Sequence, residues 1–202
     1  MRESPSPTNN LKYQNTYNNV INMKWITQIK GISPLLMHNY IGIPESKTAK
    51  EKPVQDQAEA FSYRDKHGAL AIPVRNMRSC IIEGFVNSAG NKLKTKTKMN
   101  VSPRIKVTAM GEDKMNITLS TQEYSIDKQS VPSGGRTGGI RDWCVRPRID
   151  EWSASFILEE SLGLSEKDLL YKLEFAGTDV GILSNRPNGY GRFRVLSVKP
   201  LK

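Results

Sequence analysis

Cysteine and histidine are scarce in this sequence, with two of each among 202 residues. Cys80 and Cys144 stand far apart, and one such pair supports neither a zinc ligand set nor a disulfide framework. They read as ordinary buried thiols in reducing surroundings. No paired carboxylates, nucleophile motif or nucleotide fingerprint is present, so no cofactor or metal is expected. No apolar run approaches the roughly 20 residues needed to cross a bilayer. The stretch from Met1 to Met23 has no apolar centre and no small-residue cleavage site, which argues against a secretory signal and for a cytoplasmic location. Hydrophobic residues make up only 37% and aromatics 7% of the chain, enough for one modest core.

What the sequence has in excess is positive charge. Thirty lysines and arginines oppose twenty aspartates and glutamates, a net charge of +10. A field of that sign draws polyanions. Nucleic acid fits better than a membrane surface, because no helix pairs a lysine-rich face with a Trp, Phe and Leu face.

Residues 1–22 form a polar, Asn-rich arm, and 23–202 read as a single domain with insertions around 41–60 and 90–147. Lys24 to Lys30 alternates as a first strand. Glu45 to Ala58 reads as a polar loop. Phe61 to Ile72 reads as a hairpin turning at Asp65-Lys66-His67-Gly68. Pro73 opens a helix to about Ala89, with Val74, Met77, Ile81, Ile82 and Phe85 on one face. Two strands are expected over Val101–Met110 and Met115–Tyr124, and another over Arg148–Leu158. Ser165 caps a second helix with Leu169, Leu170, Leu173 and Ala176 inward, ending at Gly177. Arg192 to Val198 is the last strand. Without insertions the order is β-α-β-β-α-β, which predicts an α+β, ferredoxin-like or RRM-like antiparallel sheet with two helices on one face and long basic insertions.

The charge gathers in three places. Lys92, Lys94, Lys96 and Lys98, continuing to Arg104 and Lys106, contain no acid. In an extended chain the alternating lysines would line one side and track phosphates; the plain alternative is a solvated loop or a guarded edge strand. Arg136, Arg141, Arg146 and Arg148 flank Trp143 on a glycine-bounded segment that suits stacking on unpaired bases. Equally, Trp143 could be core, with the arginines paired to Asp142, Asp150 and Glu151. The third segment runs from Gly181 to Arg194 and carries Arg186, Tyr190, Arg192 and Arg194 among Gly181, Gly189 and Gly191. Its glycines would let backbone amides approach phosphates, or would simply serve turns. It ends in no Gly-Lys-Ser/Thr and precedes a strand, so it is neither a P-loop nor a dinucleotide fingerprint.

The segment GTDVGILSNRPNGYGRFRV, placed between the second helix and the last strand, resembles the glycine-rich loop of the RAMP superfamily, the RRM-like proteins of CRISPR systems. The residues from Ile32 to Met37, from Phe61 to Pro73 and from Arg146 to Ala154 are similar to an uncharacterised family of phage-encoded proteins. The likeness spans Trp25 to Val198. In RAMP effectors, backbone subunits shaped like a right hand polymerise along a guide RNA. The resemblance implies that the insertion at 92–106, or the hairpin after it, is a thumb, and that the loop at 181–192 touches RNA. Some RAMP ribonucleases use a histidine base and some backbone subunits a thumb aspartate, which makes His38 and Asp127 the two candidates for catalysis. His38 reads otherwise as a packing residue, and Asp127 lies in a plain polar stretch.

Sequence and resemblance together predict non-catalytic binding of single-stranded nucleic acid, with RNA expected, inside a self-assembling or multi-subunit ribonucleoprotein. The alternatives are an endoribonuclease using His38, and a phage protein that binds single strands or interferes with host CRISPR machinery.

Overall fold

The computed structural model describes residues 22–39, 53–88, 94–133 and 140–201. Its centre is a four-stranded sheet in the order β4-β8-β1-β9, built from β1 (Met23–Gly31), β4 (Ile105–Ala109), β8 (Ser153–Glu160) and β9 (Phe193–Pro200). Every neighbouring pair is antiparallel. The helices α2 (Val74–Asn87) and α4 (Glu166–Phe175) cover one face. With α2 between β1 and β4, and α4 between β8 and β9, this is the expected β-α-β-β-α-β topology.

Alternation decides which face each strand residue joins. Trp25, Thr27 and Ile29 of β1, Ala154, Phe156 and Leu158 of β8, and Ile105 and Val107 of β4 are buried under the helices. Met77, Cys80, Ile81, Phe85, Leu169 and Leu173 descend onto them. The helices approach closely because Gly84 has no side chain: a Cβ there would stand 2.4 Å from that of Ala176. Leu170, expected inward, is instead 40% exposed. Ser165 caps α4 as expected, accepting from the Asp168 amide at 3.1 Å.

Two smaller sheets flank the main one: β2 (Leu35–Leu36), β7 (Ile140–Ile149) and β6 (Ser125–Ser133) in the order β2-β7-β6, and β3 (Ala71–Pro73) with β5 (Asn116–Thr118). Several elements depart from the sequence reading. The expected loop at 45–58 gives way at its end to a helix, α1 (Val54–Ala60). The expected hairpin at 61–72 keeps its turn, with Gly68 at φ 84°, but has only the single bridge Arg64–Leu70, because β3 pairs with β5. The lysine stretch is not extended: Lys94–Val101 is helix α3, so the single-file argument for its lysines lapses. The stretch around Asp127 is strand β6, and the arginine-rich segment is strand β7 rather than a loop. The strand expected over Arg148–Leu158 is two strands, β7 and β8, parted at 150–152. Finally, α4 does not stop at Gly177. It widens into a π-helical turn (Ala176–Val180), closed by the Gly181 amide on the Ala176 carbonyl, that ends at Gly181, φ 72°.

Candidate nucleic-acid interface

The glycine-rich loop leaves the π-turn and returns to β9 through five left-handed positions: Gly181, Leu183, Asn185, Gly189 and Gly191. Leu183 at φ 59° and Asn185 at φ 62° are not glycines, and such backbone persists only where its surroundings impose it. The surroundings here are visible. A Cβ on Gly191 would lie 2.1 Å from the Ile182 carbonyl oxygen. The amides of Ile182 and Gly191 donate to the carbonyls of Gly191 and Pro34 at 3.0 and 2.9 Å, and that of Ser184 to Leu36 at 3.1 Å. These amides hold the loop to itself and to the β2 segment, so they are not available as a phosphate cradle. Gly189 is different, with nothing within 4 Å of a Cβ.

Beside the loop runs the outer side of α2. A cavity of about 350 Å³ lies between them, lined by Arg75, Asn76, Ser79, Glu83, Ile182 and Arg186 among others. A second, of about 650 Å³, continues along α2 toward α3 and is lined by Arg78, Ser79, Glu83 and Lys98 among others. Ser79 and Glu83 belong to both, so the two form one groove from the glycine-rich loop to the lysine helix. Its cations differ in how far they are engaged. Arg78 is tied to the Ile105 and Ser102 carbonyls at 2.8 and 2.5 Å. Arg186 pairs with Glu83 at 3.0 Å, both side chains half-exposed. Arg192, which does not line the groove, donates Nη2 to the Arg186 carbonyl at 3.1 Å, while its Nη1, like Oδ1 of Asn76, is buried with no hydrogen-bond partner among the described residues. Arg75 is exposed and was not singled out in the sequence, where it is one arginine on a helix.

The β6–β7 hairpin meets the other side of the loop. Asp127 and Arg146 stand opposite each other in register and form a buried ion pair at 2.8 Å, each side chain 6% exposed. Gln129 Nε2 also donates to Asp127 at 2.8 Å, and Arg146 Nη1 donates to Ser184 Oγ at 3.3 Å, fastening the hairpin to the loop. Of the expected contacts, Arg146 is therefore a structural tie. Arg148 pairs with Asp150 at 2.7 Å on the surface. Five residues before Arg148 on β7, Trp143 is 64% exposed, so it is not core; Lys128 lies 5.2 Å from its ring centroid.

His38 is half-buried against Phe61, with ring centroids 4.5 Å apart. Burial, and then the nearby charge of Arg146, push its pKa down to about 4. Burial lifts the Cys80 thiol to about 12; both cysteines are buried, and neither is in a disulfide. Arg104 is exposed in the turn before β4, and Tyr190 is half-buried in the loop. Arg194 does not join the groove; β9 sets it opposite Lys30 of β1. Lys92 and Arg136 lie outside the described residues, as do the side chains of Lys94, Lys96 and Arg141. No group of three or more His, Cys, Asp or Glu residues among the described residues is arranged to hold a metal, and no helix among them is long and apolar enough to cross a membrane.

A chain from the cryo-EM structure of the Type III-B Cmr-beta bound to cognate target RNA superposes on 90% of this chain with a TM-score of 0.53 and 9% identity. The two chains share a fold. The present chain spans 61% of that chain's length. The crystal structure of Cmr6 from Pyrococcus furiosus aligns over 89% of this chain and 100% of its own, at 9% identity and a TM-score of 0.39, too loose a superposition to build on. No protein-family model matches the sequence, and no curated protein does. The likeness is one of fold; the chemistry rests on this chain's own residues.

Proposed function

We propose that this protein binds single-stranded nucleic acid, RNA foremost, along the groove between α2 and the glycine-rich loop, as a non-catalytic subunit of a CRISPR-type ribonucleoprotein. The observation that carries the reading is the groove itself: Arg75 and Arg186 edge one end, Lys98 the other, and the fixed loop forms a wall. Long cations beside a strand's phosphates give affinity without base reading. Trp143, exposed on the hairpin with Lys128 beside it, supplies a stacking face. Arg104, Tyr190 and the lysines of α3 are further candidate contacts. Assembly of several copies along a guide strand belongs to the same proposal.

Two observations favour binding over cleavage. A histidine with pKa about 4 is a weak base, and at neutral pH it carries no proton to give a leaving group. The Asp127 carboxylate is buried and bonded to Arg146 and Gln129. Fluorescence anisotropy with labelled single-stranded RNA, single-stranded DNA and duplex DNA, at two salt concentrations, tests the reading. Salt-sensitive binding to the single strands without loss of strand length supports it. Binding to none of them overturns it, and cleavage abolished by His38→Ala would make the protein a nuclease.

A further inference from the structure

The main sheet has a second face, the one the helices leave open. Strand alternation places Lys24, Ile26, Gln28 and Lys30 of β1 there, with Lys106 and Thr108 of β4 and Ser153, Ser155, Ile157 and Glu159 of β8; on β9 a register shift opposite Gln28 and Ile29 brings Arg194, Ser197 and Lys199 to the same face. Contacts across the strands confirm the assignment. Lys24 and Lys106 flank Glu159 at 3.8 and 3.5 Å, and Ser197 Oγ donates to Gln28 Oε1 at 2.9 Å.

The charge on this face is lopsided: five cations against the single carboxylate of Glu159. That carboxylate is shared by Lys24 and Lys106 at one corner. Lys30, Arg194 and Lys199 are exposed and have no ion-pair partner among the described residues. Lys30 and Arg194 are directly opposite in register, an arrangement of like charges that weakens a sheet. A surface built for solubility intersperses both signs. A pair of facing cations is relieved when an anion sits between them. Between the cations stand Thr108, Ser155, Gln28 and Ser197, short polar groups of the kind that contact phosphate and sugar. The face has no aromatic residue, so it lacks the stacking platform with which RRM sheets read bases.

We infer that this open face is a second nucleic-acid surface, one that holds the phosphate backbone of a single strand through Lys30, Arg194 and Lys199 without reading sequence. The inference rests on the reading that the protein's ligand is a single strand. It adds a contact on the side of the sheet away from the groove, so one protein touches two segments of strand. A long strand then engages both surfaces, whereas a strand too short to pass around the sheet engages one.

The test compares three proteins: the wild type, a sheet variant carrying Lys30→Gln, Arg194→Gln and Lys199→Gln, and a groove variant carrying Arg75→Ala and Arg186→Ala. Anisotropy is read with labelled poly(U) RNA over a salt series, with labelled poly-glutamate as an acidic polypeptide. All the substituted side chains lie at the surface, and thermal melts followed by circular dichroism confirm that each variant folds. The sheet variant is expected to lose about 2 from the slope of log affinity against log salt, roughly 0.7 for each contact removed. Lys30→Arg with Lys199→Arg should keep the wild-type slope. A sheet variant with unchanged slope and affinity, beside a groove variant that is weakened, overturns the second surface and leaves the groove standing. Wild-type protein that binds no RNA overturns both. Poly-glutamate bound as tightly as RNA, and lost in the sheet variant, overturns the nucleic-acid assignment in favour of an acidic protein partner.

Discussion

Arg146 on β7 and Arg186 in the glycine-rich loop each face a carboxylate, Asp127 at 2.8 Å and Glu83 at 3.0 Å, and their circumstances are otherwise opposite. The first pair is 6% exposed on both sides, and the second is 39% and 49% exposed. A buried pair has given up its water and depends on its partner. An exposed pair has given up little, and a phosphate can replace the carboxylate. Positive charge in the sequence is thus spent in two ways here: fastening the hairpin to the loop, and lining a groove.

The largest effect expected from that contrast is on stability. Arg146→Ala leaves Asp127 buried without a counter-charge and should cost about 3–5 kcal/mol, read as a lower urea midpoint. Replacing both partners with apolar residues, Asp127→Leu with Arg146→Met, should recover most of it. Arg186→Ala should change stability by under about 1 kcal/mol while weakening strand binding. If the two single substitutions destabilise equally, the division between tie and contact fails.

Next in size are the loop glycines. Gly191→Ala forces a Cβ against the Ile182 carbonyl at positive φ and should cost at least about 2–3 kcal/mol. Gly189→Ala, in open space at φ 83°, should cost only about 1 kcal/mol. Equal melting temperatures for the two would mean that the loop is not held as described.

Protons offer a third handle. The pKa of His38 falls from 6.5 unfolded to about 4 folded, so between those values the unfolded chain binds the extra proton. This contribution to stability is full above pH 6.5 and is lost as pH falls toward 4. His38→Gln should flatten the stability profile in that window, and an unchanged profile would mean that the histidine is solvated. The smallest effect expected is a gain: Glu83→Gln frees Arg186 and removes the groove's acid, tightening strand binding by about two- to fivefold, on the order of 0.5–1 kcal/mol. Weaker binding would place Glu83 among the contacts.

The β-α-β-β-α-β frame was legible because each of its elements carries its own period. KWITQIK alternates, α2 repeats its apolar residues at helical spacing, and Ser165 and Asp168 mark a cap. The β6–β7 hairpin was not, because β6 is polar and the apolar residues Cys144, Val145 and Ile149 of β7 are interrupted by arginines. Asp127 and Arg146 meet across their ladder, and residues 19 apart in the chain do not announce that they will meet. The lysine run misled for a related reason: alternate lysines look extended, while the segment is helical and sits against α2. At the site, the glycine-rich loop and Arg186 could be picked out as punctuation and charge. Arg75 could not, since only the return of the loop onto α2 makes its position matter. The open sheet face was latent in the polar positions of β1, but the facing of Lys30 and Arg194 is set by strand order.

The groove between α2 and the glycine-rich loop is the proposed seat of a single strand. Its most direct test is the salt dependence of single-stranded RNA binding by wild-type protein and by Arg75→Ala with Arg186→Ala. Salt-sensitive binding is expected for the wild type and weaker binding for the variant, with a slope smaller by about 1.4, the loss of two phosphate contacts. Identical slopes and affinities would show that the strand does not run along the groove.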